Sequence, residues 1–227
     1  MDRREFLKAG ICMLPAIMVL PGCVGPAKYD TAKYGAIKQL GIVEFSSTEI
    51  EFWADIDRSS NMYSAAGANS SKAGRFERSL SQHLGGFYPN MLAAVAASLE
   101  GKNIKTQMIP VPRTAEGKAS ANYKGANEEL LLECKAYVGF VLLKDGLIMP
   151  SVTAFSKLVG TDGSVRFEKH ISIGYGKNYL TETEVIAMPK LRYESEVYIN
   201  THAEEVAHDL VGLAEFLGKE AAILVTA

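Results

Sequence analysis

Four histidines, His83, His170, His202 and His208, are the imidazoles of this chain. A transition-metal site gathers such groups, most simply as H-x3-H or H-E-x-x-H on one helix face. No such pair occurs. His202 and His208 stand six residues apart, a spacing that predicts different sides of a helix and points to surface or capping histidines rather than ligands. Acyl transfer by a serine would call for a G-x-S-x-G elbow, and no serine has one. Gly85-Gly86 in HLGGFYP lacks the lysine and the spacing of a phosphate loop. TDGS at 161–164 carries oxygen ligands, but Asp-Gly between two strands reads as a turn. Glu128-Glu129 and Glu204-Glu205 fall at expected helix starts, where the helix dipole favours carboxylates. These residue types predict no catalytic group, no cofactor and no metal.

The cysteines carry more. Residues 3–23 read RREFLKAGICMLPAIMVLPGC. A charged head, Asp2 to Lys8, precedes an apolar run from Ala9 to Leu20. That run is short for a bilayer, which takes roughly 20 helical residues to cross. Pro15 within it and Pro21-Gly22 at its end oppose a buried helix, because proline breaks the hydrogen-bond ladder. A basic head, a short apolar run and small residues before a cut form the pattern of a secretory signal peptide.

Arg3-Arg4-Glu5-Phe6-Leu7-Lys8 resembles the twin-arginine export signal R-R-x-F-L-K, with Asp2 where that signal usually has Ser or Thr. Leu20-Pro21-Gly22-Cys23 resembles the bacterial lipobox L-x-G-C, with Pro21 at an unusual position. Resemblance to bacterial lipoproteins implies cleavage before Cys23 and a diacylglycerol on its thiol. Each buried methylene contributes about 0.8 kcal/mol and two or more acyl chains anchor stably, so Cys23 is expected to be the link to the bilayer. Val24 after it, in place of Asp, resembles outer-membrane-sorted lipoproteins.

Removal of residues 1–22 from the 227 leaves roughly 200, enough for one substantial domain. The leader carries Arg3, Arg4 and Lys8 against Asp2 and Glu5, so the formal charge of −2 becomes one unit more negative without it. That balance gives no electrostatic reason to bind nucleic acid. It also shows no polybasic stripe for anionic lipid heads. Cys12 leaves with the leader and Cys23 is acylated. Cys134 then has no disulfide partner and reads as a buried, inert thiol.

The expected organisation is a signal peptide over 1–22, a lipidated tether over 23–35 and a single domain over 36–227. Residues 36–47 (AIKQLGIVEFSS) read as a central strand. Residues 48–83 are polar and rich in small residues; they read as a long insertion, either a helical excursion or a mobile loop. Leu92, Val95 and Leu99 at helical spacing, with Pro89 before and Gly101 after, predict a helix. Residues 104–111 follow as a strand, and 120–136 (SANYKGANEELLLECKA) as a second helix. YVGFVLL (137–143), the turn at Asp145-Gly146, a strand over 147–160 bent or on an edge at Pro150, the turn at Asp162-Gly163 and the alternating SVRFEKHISIGYG (164–176) predict an antiparallel meander. Residues 177–200 read as a loop with a possible short strand in EVIAMPKL. Thr201 and Glu204 form a capping box for a last helix that buries Val206, Leu210, Leu213 and Leu217.

The predicted class is therefore α/β (α+β): a mixed sheet of about five strands, helices packed on it, in the order β-α-β-α-β-β-β-α. With LGIVEF as first strand and AYVGFVLL after a helix, this order resembles three envelope proteins. They are the amino-terminal domain of the Tol-system periplasmic protein, the penicillin-binding-protein activator lipoproteins and the soluble domain of the curli secretion channel lipoprotein. The resemblance spans roughly residues 36–220 and is one of architecture.

Trp53, Tyr63, Phe87 and Tyr88 lie outside the helix and strand periodicities, which makes them the candidate partner-binding residues, since exposed aromatics often anchor a partner. The expectation is an accessory lipoprotein of the cell envelope, facing the periplasm, with the outer membrane favoured. It would bind the bilayer through Cys23 and an envelope protein through its domain, with a homo-oligomer open. An exported hydrolase-like enzyme and a carrier of an apolar ligand are the alternatives.

Overall fold

A computed structural model describes residues 28–56, 62–111, 130–160, 162–173, 183–186 and 191–226. The predicted leader, with Arg3, Arg4, Phe6, Leu7, Lys8, Leu20 and Gly22, and the predicted lipidation site Cys23 lie outside these residues.

Seven strands form one mixed sheet. They are β1 (Gln39–Glu44), β2 (Glu51–Asp55), β3 (Lys105–Pro110), β4 (Leu130–Leu142), β5 (Ile148–Gly160), β6 (Val165–Ile173) and β7 (Thr183–Ile186). The order is β3-β1-β4-β5-β6-β7, with β2 also on β4. β4, β5 and β6 make the antiparallel meander, while β1–β3, β1–β4, β2–β4 and β6–β7 are parallel. The five expected strands are present, and β2 and β7 extend the sheet.

The helices are α1 (Thr31–Tyr34), α2 (Met62–Leu80), α3 (Phe87–Glu100), α4 (Glu196–Thr201) and α5 (Ala203–Val225). They cover the face on which Leu132, Cys134, Ala136, Val138 and Phe140 are buried. Val206, Leu210, Leu213 and Leu217 of α5 dock there as the periodicity predicts, each fully or nearly fully buried. α3 and α5 cross closely at Gly218, where a Cβ would collide with the Met91 carbonyl oxygen.

Three expectations change. First, the helix expected over 120–136 fails over its described part, because Leu130–Ala136 belongs to β4. Leucine favours helices only weakly. Thirteen consecutive pairs to β5, from Leu130↔Gly160 to Leu142↔Ile148, outweigh that preference. Second, the expected insertion over 48–83 is part of the domain. β2 pairs in parallel with β4, and Phe76 and Leu80 of α2 are buried. Third, Thr201 caps nothing. It ends α4, its hydroxyl donating back to the Val197 and Tyr198 carbonyls, and α5 starts at Ala203 with His202 as N-cap and no side-chain cap bond.

The turns fall where Asp-Gly places them. Gly146 and Gly163 take positive φ, 89° and 79°. Pro150 lies in a central strand, paired with Phe140 of β4 and two residues before Val152, whose partner Ile173 is the last described residue of β6.

Candidate functional site

The helical layer ends in a groove built from α2, α4 and α5. Ser79 on α2 donates to Asn200 Oδ1 at 2.7 Å, and Arg75 pairs with Glu196 at 3.3 Å. These contacts fix α4 against α2. The chain then turns at His202 into α5. His202 stacks on Tyr198, ring centroids 4.1 Å apart and 11° from parallel, with Nδ1 near Thr201 Oγ1 (3.0 Å) and the Tyr198 carbonyl (3.2 Å). Tyr198 stacks in turn on Tyr193, and Tyr193 meets Phe140 in the core. An aromatic column thus runs from the sheet to the groove. The Tyr193 hydroxyl donates to Asp209 Oδ2 at 3.0 Å. Burial, then the Asp209 carboxylate, pushes its pKa upward.

His83, His202 and His208 all line this groove, with Gln82, Asn200, Glu204 and Glu205. Its volume is about 990 Å³ and it opens broadly to solvent. The six-residue spacing of His202 and His208 predicted different helix sides. They converge because His202 sits outside the helix, on its N-cap. Among the described residues no group of three His, Cys, Asp or Glu is arranged to hold a metal ion. The groove offers hydrogen-bond donors and acceptors of both kinds beside the aliphatic Val211, a wall suited to a polar surface segment.

The residues singled out from sequence disperse. Phe87 and Tyr88 are fully buried, which corrects their candidacy as exposed anchors. They open α3 and turn into the core, where Phe87 meets Tyr88 edge-on at 5.7 Å and the Ala136 amide donates to the Tyr88 hydroxyl at 2.9 Å. Trp53 is half-buried on β2. It faces the other side of the sheet and lies across Gly139, where any Cβ would collide with the indole. Tyr63 belongs to α2, and its side chain lies outside the described residues.

Trp53, Tyr137, Phe155 and His170 share that second face by register. His170 meets Phe155 edge-on at 4.4 Å, and burial lowers its pKa. Cys134 is a free thiol, fully buried, as its apolar context predicts; burial pushes its pKa up to about 12.

Sequence reasoning missed α4. Its signal was present: Ser195 is an N-cap residue type, and its side chain accepts from the Tyr198 amide at 3.1 Å. Comparison of the chain with protein-family models, with curated proteins and with solved structures finds no match.

Proposed function

We propose that the chain is an envelope lipoprotein, anchored through acylated Cys23, whose α/β domain is an accessory protein-binding module. The observation that carries this reading is the run RREFLK…LPGC, which ends six residues before Tyr29, a member of the buried core. An export signal, an acylation site and a domain follow one another along the chain. The module faces the periplasm, with the outer membrane as its favoured station in a cell that has one.

The groove of His83, His202 and His208 supports the binding part of the reading. A carrier of an apolar ligand calls for an enclosed, apolar-lined cavity; this groove is open and lined about equally by polar and apolar surface, which suits the surface of another protein. Its walls, α2, α4 and α5, are tied by the Ser79–Asn200 and Arg75–Glu196 contacts, so it is held in shape before a partner arrives.

The test has two parts. Cys23→Ser is expected to move the protein from the salt-washed membrane fraction to the soluble fraction, and retention on membranes would refute the anchor. A photo-crosslinker at Gln82 is expected to give a discrete protein adduct in cells, and the same group at Lys219, on the exposed flank of α5, none. Equal labelling from both positions would refute the groove as the docking surface.

A further inference from the structure

The described part of the expected tether lies on the domain. Tyr29 is only 8% exposed and belongs to the core cluster, its ring 5.8 Å from that of Tyr34. Asp30 caps α1, accepting from the Lys33 amide at 2.9 Å. Tyr34 lies under the Arg166 guanidinium, 4.6 Å from ring centroid to Cζ. Tyr34 and Ile37 are half-buried against the core. The chain then joins the sheet: the Lys105 amide donates to the Lys38 carbonyl at 2.9 Å, and β1 begins at Gln39.

The hold on this segment is light. α1 has no buried residue, and Thr31, Ala32, Lys33, Gly35 and Ala36 are exposed. Two backbone bonds, from the Tyr34 amide to Asp30 and from the Gly35 amide to Thr31, close within the segment itself. A stretch seated by a few side chains and local hydrogen bonds opens at lower cost than the body beneath it. Gly35 lowers that cost further. It ends α1 at φ 80° and ψ 174°, a conformation essentially confined to glycine, so the docked shape is one among many open to the free chain.

Docking sets the length of chain between the body and Cys23. Six residues lead from Cys23 to Tyr29, and an extended chain covers about 3.5 Å per residue, so the docked body stays within roughly 20 Å of the anchor sulfur. Release as far as Lys38 frees ten more residues and moves that limit to roughly 55 Å. We propose that Tyr29–Lys38 is a releasable strap. Docked, it holds the anchored domain close to the leaflet; detached, it lets the groove rise to a partner beyond reach of the short leash. The proposal rests on the lipid-anchor reading of Cys23.

The acylated full chain in phosphatidylcholine vesicles provides the test. Cys134 is buried, Cys23 is blocked by its lipid and Cys12 leaves with the leader, so a donor fluorophore reacts selectively at Gln107→Cys, an exposed position of β3. Energy transfer to a headgroup-labelled acceptor lipid reads the distance from body to bilayer. A ten-residue Gly/Ser spacer inserted after Gly25 supplies the released length with the strap intact and should lower the transfer. Gly35→Ala should lower it too. Nothing lies within 4 Å of the added methyl, so this variant penalises the docked backbone and leaves the core untouched. Tyr34→Ala should lower transfer by removing the ring beneath Arg166. Limited trypsin digestion reads release itself. In the parent chain, cleavage after Lys33 is expected in urea too dilute to unfold the body, and about tenfold faster in Gly35→Ala, because strain in a glycine-only conformation favours the open strap.

Cleavage after Lys33 only when the body unfolds would overturn the proposal, since the strap would then be a fixed part of the fold. Unchanged transfer in Gly35→Ala and Tyr34→Ala, beside a spacer that lowers it, would show that docking does not set the leash. Unchanged transfer with the spacer would show that leash length does not set the height of the domain. Each of these results leaves the anchor intact. Failure of the anchor reads differently: a purified protein without the diacylglycerol mass that does not float with vesicles, which would overturn both.

Discussion

The Ala136 amide donates to the Tyr88 hydroxyl, 2.9 Å away, across the boundary between sheet and helix. The reason lies in β4. One edge of β4 is fully paired with β5. The other edge is shared: β1 pairs at Leu131 and Leu132, and β2 takes over at Tyr137. Between them the chain leaves the sheet through a 3₁₀ turn at Ser47–Glu49, so among the described residues no strand pairs with 133–136 on that edge. A buried amide without a partner is costly. Tyr88 fills the break with the tip of a side chain whose ring is packed in the core.

Tyr88→Phe keeps the ring and removes the acceptor. It should cost about 1–3 kcal/mol, the cost of leaving a buried amide unsatisfied. Urea melts of the two proteins measure the difference. A loss near zero would mean that the Ala136 amide finds another acceptor and that the hydroxyl does not close the break.

Trp53 is the only tryptophan in the chain, so its fluorescence reports one place. Its indole occupies the space a side chain at 139 would take. Gly139→Ala should lift the ring off β4, shift its emission to the red and cost about 1–3 kcal/mol through overpacking. Trp53→Ala, at a half-buried position, should cost less than the roughly 3–5 kcal/mol of a fully buried tryptophan. An unchanged spectrum in Gly139→Ala would show that the ring is not seated there.

Strands with strong local pattern were legible: the alternation of Phe167 and Ile171 with His170 and Ser172 gave β6 its faces, and the two Asp-Gly pairs gave the turns of the meander. Leu130–Ala136 was not, because its short apolar run is compatible with a helix or a strand, and only long-range pairing with β5 decides. Phe87 and Tyr88 looked detached from any periodicity because they open α3, where a residue can turn into the core from the first turn. The groove was invisible for a related reason. Its three histidines come from a 3₁₀ turn, an N-cap and a second helical turn, positions with no common spacing. β2 escaped notice because its five residues, EFWAD, alternate weakly and carry two acids, one of which, Glu51, pairs with Lys135 across the sheet.

Cys134 should make stability fall in alkali. Its ordinary pKa is 9.0, and burial raises it to about 12 in the folded protein. Between those values the unfolded chain loses the thiol proton and the folded chain keeps it. The contribution is therefore intact below pH 9 and is lost as pH rises toward 12, at up to about 1.4 kcal/mol per unit. Burial raises Tyr88 and Tyr193 in the same sense, adding to the slope above about pH 10. Urea midpoints compared across pH 8 to 10 should decline less steeply for Cys134→Ala than for the parent chain. Parallel declines would mean that the native thiol ionises freely, and a thiol reagent should then modify it without unfolding.

The export route is open to an equally direct comparison. In Arg3→Lys with Arg4→Lys, the head keeps its positive charge and the apolar run from Ala9 to Leu20 is untouched, so a signal read by charge and hydrophobicity alone would still work. A twin-arginine receptor is expected to recognise the guanidinium pair itself, a planar donor array that lysine does not reproduce. The double variant should therefore accumulate as uncleaved precursor in the cytoplasm, visible as a slower band that still contains residues 1–22. Because that route carries folded proteins, the retained precursor should also resist protease as well as the mature domain does. Normal maturation of the double variant would assign the chain to the general secretory route, and would leave the acylation of Cys23 as it stands.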